Sequence, residues 1–141
     1  MPLRLLGALA ATVLLALGSK PAVAATTLTF SDFSNTTGLV LNGDSAVVGV
    51  DLRLTPSQPN RGGSTFTQDA IDLGPDATFS TAFSFRISNG AGFDDPGGGI
   101  DGADGIAFVL QTVNNSVGAV GAGLGYAGIQ PSLAIEFDTF R

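Results

Sequence analysis

The sequence predicts an all-β protein, two antiparallel sheets packed face to face as a sandwich, and three observations predict it. From Thr26 onward, apolar and β-branched residues alternate with polar ones, the period of a strand buried on one face. Gly, Asn, Asp and Pro interrupt that alternation about every 8–12 residues. No stretch after Thr26 carries the apolar repeat of an amphipathic helix. Short strands with one apolar face each bury those faces by stacking two sheets.

Residues 1–25 stand apart from that pattern and are read as a signal peptide. Arg4 supplies a positive start, Leu5 to Gly18 an apolar run, Lys20-Pro21 a break, and Ala22-Val23-Ala24-Ala25 the small residues of a cleavage site. Cleavage after Ala24 or Ala25 sends the mature chain out of the cell. The competing reading, an N-terminal membrane anchor, needs about 20 apolar residues, and the run is shorter.

The elements then follow in order. Thr27–Phe30 and Gly38–Leu41 are short strands, the second closed by the turn signal Asn42-Gly43-Asp44. Ala46 to Leu54 reads as one strand, with Val48, Val50, Leu52 and Leu54 on one face and Asp51 and Arg53 on the other. The clearest alternation is Phe79 to Ile87: Phe79, Phe83, Phe85 and Ile87 share a face opposite Ser80, Ser84 and Arg86. Asn89 to Asp104 is a loop rich in Gly and Asp. Gly105–Gln111 is a strand, and Gly118 to Gly128 a glycine-rich loop around the only tyrosine, Tyr126. Leu133 to Phe140 is the last strand. Long loops between short strands gather at one end of a sandwich, where binding sites are built.

Composition narrows the function. Without the leader's Arg4 and Lys20, four basic residues face twelve acidic ones, a net charge of −8. So few basic residues among so many acids displace few counterions, which makes the chain a poor partner for nucleic acid or an anionic membrane; no nucleic-acid binding and no membrane insertion of the mature chain are expected. No cysteine is present, so an exported chain relies on packing or bound metal rather than disulfides. No histidine is present either, which removes the commonest general base and zinc ligand.

The last strand carries the strongest chemical signal. Glu136 and Asp138 project from one face while Leu133, Ile135 and Phe137 point the other way, into a core. Two neighbouring acids on an apolar strand repel and cost desolvation, and a hard divalent cation bound by oxygens relieves both. Asp104, at the mouth of the strand beginning at Gly105, can accept hydrogen bonds from two adjacent hydroxyls of a sugar. Gly125 lets a backbone N–H approach the same sugar, and Tyr126 offers a stacking face. The plainer readings are a turn aspartate, a turn glycine and a core aromatic.

The pattern resembles the legume-type (L-type) lectin family from about Leu28 to Phe140. The matching text runs Leu39-Val40-Leu41-Asn42-Gly43-Asp44-Ser45-Ala46, Leu52-Arg53-Leu54-Thr55, Phe79-Ser80-Thr81-Ala82-Phe83-Ser84-Phe85, then Ala103-Asp104-Gly105-Ile106-Ala107-Phe108. It continues with Gly125-Tyr126-Ala127-Gly128-Ile129 and Leu133-Ala134-Ile135-Glu136-Phe137-Asp138-Thr139-Phe140. Each piece alone is weak; their order and spacing are specific. The resemblance implies a concanavalin A-like jelly roll, a curved front sheet on a flat back sheet, that binds glycans without catalysis. It implies that Asp104 follows a cis peptide and bonds two sugar hydroxyls. Gly125, or Gly123 in a shifted alignment, donates its N–H to the sugar. It implies that Glu136 ligates Mn2+, that Asp138 bridges Mn2+ to Ca2+, and that the Phe140 carbonyl reaches the Ca2+. Both ions would hold the loops in place. A homo-oligomer would depend on the back sheet.

The family pattern continues past Arg141 with an asparagine, an aspartate and a histidine, and with further strands. The expectation is therefore that residues 26–141 are the N-terminal portion of a truncated domain, with sheet edges unpaired and part of the core exposed. The loop from Asn89 to Gly102 is longer and richer in glycine than in plant lectins. Its Asp94, Asp95 and Asp101 would hold an extra calcium or, the favoured reading, lie in a solvated loop. The sequons at Asn35 and Asn114 matter only in a host that glycosylates exported proteins.

Two other functions compete. A surface or matrix protein can use the same sandwich as a scaffold. Laminarinase-like glycoside hydrolases also place glutamate and aspartate two apart on a strand. They add a second glutamate two or three residues later as the acid opposite the nucleophile. Here those positions are Phe140 and Arg141.

Overall fold

The computed structural model describes residues 26–74, 76, 78–90 and 103–140. All of its regular structure is strand apart from one short 3-10 turn, and every strand pair is antiparallel. The strands are β1 (Leu39–Gly43), β2 (Ala46–Val48), β3 (Asp51–Arg53), β4 (Gly63–Thr67), β5 (Gly105–Gln111) and β6 (Ser132–Asp138), with the 3-10 turn at Gly121–Gly123. They form three ladders among the described residues: β1 with β4, β2 with β3, and β5 with β6. The all-β antiparallel class expected from the alternation is what the chain adopts. The leader at 1–25 and Asp94, Asp95 and Asp101 lie outside the described residues.

Ala46 to Leu54 is not one strand but a hairpin. Val48 pairs with Asp51 and Ala46 with Arg53, so the chain reverses over Gly49-Val50. Gly49 has φ +65°, the conformation that two-residue hairpin turns require and side chains resist. The alternation on either side was legible, but a single glycine inside it turned the chain.

β4 was not expected from the sequence. Its text, Gly-Ser-Thr-Phe-Thr, lacks apolar alternation, yet Gly63 to Thr67 pair residue for residue with Gly43 to Leu39. Thr and Phe favour extended backbone, which was the available signal. Gly63 is required by packing, because a Cβ there would strike the Leu54 carbonyl oxygen and lie 2.8 Å from the Ser45 nitrogen. The Asn42 side chain fastens this ladder to the Asn115 carbonyl. Arg61 pairs with Asp44 at 3.1 Å, and the Gly62 N–H donates to the same carboxylate.

Phe79 to Ile87 joins no ladder among the described residues. Phe83 and Phe85 of its apolar face meet other rings, while Phe79, Phe83 and Phe85 all remain exposed. The ring of Phe83 stacks on Phe108 at 5.8 Å and meets Phe137 edge-on at 6.3 Å, and Phe85 lies 4.8 Å from Phe137. Thr27–Phe30 is likewise unpaired, with Phe30 stacked on Phe33 at 5.6 Å. These rings cluster against β5 and β6 without being buried, and Ile129, 5 % exposed, is the one buried apolar residue described. Leu133 and Ile135 remain more than half exposed, at 65 % and 57 %, so the face expected to point into a core is covered only around Phe137.

Candidate functional site

The β5–β6 ladder sorts its side chains by chemistry. Residues directly opposite in an antiparallel pair share a face. Ile106 faces Phe137, Phe108 faces Ile135 and Leu110 faces Leu133, which makes one face wholly apolar. The other face opposes Gly105 to Asp138 and Ala107 to Glu136. Each acid therefore has a small residue across from it, and nothing bulky on β5 covers either carboxylate. Both acids are exposed. The desolvation cost expected for them is consequently small, and mutual repulsion is what a cation would relieve.

Gly105 sets the closeness of the two strands. Its φ is +137°, and a Cβ there would strike the Phe137 carbonyl oxygen and approach the Asp138 Cα to 3.0 Å. Just before it, the Ala103–Asp104 peptide bond is cis, as the resemblance implied. The Asp104 carbonyl accepts a hydrogen bond from the Thr139 N–H at 2.9 Å, and the Phe140 N–H donates to Asp138 Oδ1 at 2.8 Å. Asp104, half-buried, is thus fastened to the end of the strand that carries Glu136 and Asp138.

The loop from Gly118 to Gly128 closes over this end. Gly118 N–H donates to the Gly125 carbonyl at 2.7 Å, Ala119 N–H to Ala127 at 2.9 Å, and Gly125 N–H to Ala119 at 2.9 Å. The last of these engages the donor that the resemblance assigns to a sugar, because Gly125 spends its N–H inside the loop. The Gly123 N–H donates to the Val120 carbonyl at 3.3 Å, so the shifted alignment meets the same objection. The glycine that faces Asp104 is instead Gly121, with φ +67°, where a Cβ would lie 3.7 Å from Asp104 Oδ2. A glycine there keeps the backbone approachable beside the carboxylate. The run of glycines signalled a close approach; which one makes it depends on the 3-10 turn.

Tyr126, half-buried, is held at its hydroxyl end. Its hydroxyl donates a hydrogen bond to Glu136 Oε1. That bond, then burial, then the charge of Glu136 push the phenol's pKa above its ordinary value, because ionising it would set two negative charges side by side.

Glu136, Asp138 and the Phe140 carbonyl offer the hard oxygens that Ca2+ and Mn2+ prefer, and the two carboxylates share one exposed face. The donor set fits in kind. It falls short of the roughly 6–8 oxygens that calcium takes, so water or other groups must supply the remainder. Among the described residues no three His, Cys, Asp or Glu side chains cluster as a ready-made metal site. No helix among them is long and apolar enough to cross a membrane. In comparison with known families, the model of the legume lectin domain matches residues 25–141.

Proposed function

The chain belongs to the legume lectin domain family, and on that premise we propose that it is an exported, non-catalytic glycan-binding domain dependent on Ca2+ and Mn2+. The fold class is the family's antiparallel β-sandwich, and carbohydrate binding is the activity the family carries. Asp104 would accept hydrogen bonds from two neighbouring sugar hydroxyls, with the Gly121 backbone flanking the same space. Glu136, Asp138 and the Phe140 carbonyl would hold the metals. Bound there, the ions supply positive charge that neutralises the two acids and steadies the end of β6.

One observation carries this reading: the β5–β6 register sets the Asp104 backbone against Thr139, one residue beyond Asp138. Sugar-facing and metal-facing candidates are therefore joined through the backbone of the ladder. A carboxylate that orients hydroxyls gains from a fixed position, since charge-assisted hydrogen bonds are strong only when aligned. Export follows from the leader at residues 1–25.

The test is Asp104→Ala assayed on a glycan array. Loss of all glycan signal with an unchanged melting temperature is the expected result. Wild-type binding by the variant would remove Asp104 from the site.

A further inference from the structure

The one tyrosine of the chain joins two parts of the site, the glycine-rich loop and β6. Its hydroxyl reaches Glu136 on β6, while its backbone belongs to the loop opposite Asp104. Within that loop the N–H groups of Tyr126 and Ala127 both donate to the Gly123 carbonyl at 3.0 Å. Leu124, at φ +45°, closes the 3-10 turn by donating to the Gly121 carbonyl at 2.8 Å. Tyr126 and the Gly121–Gly123 turn therefore move as one piece, and Gly121 is the residue against Asp104.

From this arrangement we infer that Tyr126 is a positioning residue for glycan binding, orienting the Glu136 carboxylate and tying the loop opposite Asp104 to β6. A carboxylate turns freely about its last bond. A phenol hydroxyl on one oxygen fixes the plane and leaves the second oxygen for a cation. Groups hydrogen-bonded behind a ligand set its orientation and commonly tune metal affinity. Glu136 is exposed, so water can replace the phenol energetically. What water cannot replace is the link to the loop. Metal uptake at Glu136 and the stance of Gly121 opposite Asp104 are then coupled through one side chain.

The inference rests on Glu136 as a metal ligand, and its test separates the two claims. Calorimetric titration of the full chain with Ca2+ and Mn2+ gives affinity, and amide hydrogen exchange of residues 118–128, with and without metal, gives the coupling. Tyr126→Phe keeps the ring and removes the donor. It should weaken metal binding by about 10-fold and abolish the metal-dependent rise in loop protection. Glu136→Gln keeps an acceptor for the phenol. It should lose metal uptake yet retain the loop protection of the metal-free wild type, which keeps the idea testable even if Tyr126→Phe melts early. Unchanged affinity and a wild-type exchange response in Tyr126→Phe would overturn the positioning role. A wild type that takes up no metal would refute Glu136 as a ligand, and the inference would fall with it.

Discussion

Replacing Gly105 with alanine tests the geometry that brings the two halves of the site together. The residue has φ +137°, and its added Cβ would run into the Phe137 carbonyl oxygen and lie 3.0 Å from the Asp138 Cα. Both obstacles are backbone atoms, so no side chain can swing aside. A φ this far outside the left-handed helical region, occupied almost only by glycine, costs about 1–2 kcal/mol for a residue with a Cβ, and forced displacement of packed atoms adds about 1–3 kcal/mol. The expected loss is about 2–5 kcal/mol, a large share of the roughly 5–15 kcal/mol that holds a domain folded. At about 3 °C per kcal/mol, the melting temperature should fall by roughly 6–15 °C. Gly49 supplies the control: its φ is +65° and nothing lies within 4 Å of a Cβ there. Gly49→Ala should therefore cost only the conformational part, about 1–2 kcal/mol. Thermal unfolding followed by circular dichroism compares the two directly. Equal shifts would mean that β5 and β6 are not as close at Gly105 as described, and the argument linking Asp104 to Asp138 would fail with them.

Three further outcomes follow from the same geometry. The chain has one tyrosine and no tryptophan, so absorbance near the phenolate band should titrate with a midpoint above 10 in the presence of a chelator, since Glu136 raises the Tyr126 pKa. Any stability from this bond is full below pH 10 and disappears as pH rises through the raised pKa; a Glu136→Gln midpoint no lower than wild type would refute the assignment. Phe137→Ala removes a ring packed on Phe83 and Phe85 but 38 % exposed. About 2 kcal/mol should be lost, below the roughly 3–5 kcal/mol of a buried Phe, and a urea midpoint unchanged from wild type would contradict the cluster. Chelation should lower both glycan retention and melting temperature, by about 2.7 kcal/mol if metal stands at 100 times its Kd; superimposable melting curves would remove the metals.

What the sequence revealed and what it concealed divide along one physical line. Alternation is a property of a single strand, so β1, β5 and β6 were legible to within a residue or two. Pairing is a property of two strands. Phe79–Ile87 alternates best of all, and Phe83 and Phe85 meet other rings, but whether a backbone partner lies alongside is not written in its own residues. Gly63–Thr67 shows the reverse, a strand made by its partner β1 with little apolar pattern to announce it. The site divides in the same way. Glu136 and Asp138 are two apart on a strand and share a face by arithmetic alone. Gly121 and Tyr126 acquire their neighbours only when the loop folds, so their place beside Asp104 and Glu136 could not be read from the sequence.

The β5–β6 register has a consequence for the order of events in folding. Asp104, Gly121, Tyr126, Glu136 and Asp138 all lie between residues 103 and 140, on one ladder and the loop that joins its strands. Closing that one connection brings all five together, and the entropic saving over more distant residues is modest, since the penalty grows only as the logarithm of loop length. These candidate residues are therefore brought together by a single hairpin and its loop. A glycan or cation that prefers the paired hairpin would draw the chain toward it by mass action, which makes the ligand a participant in folding as well as its beneficiary.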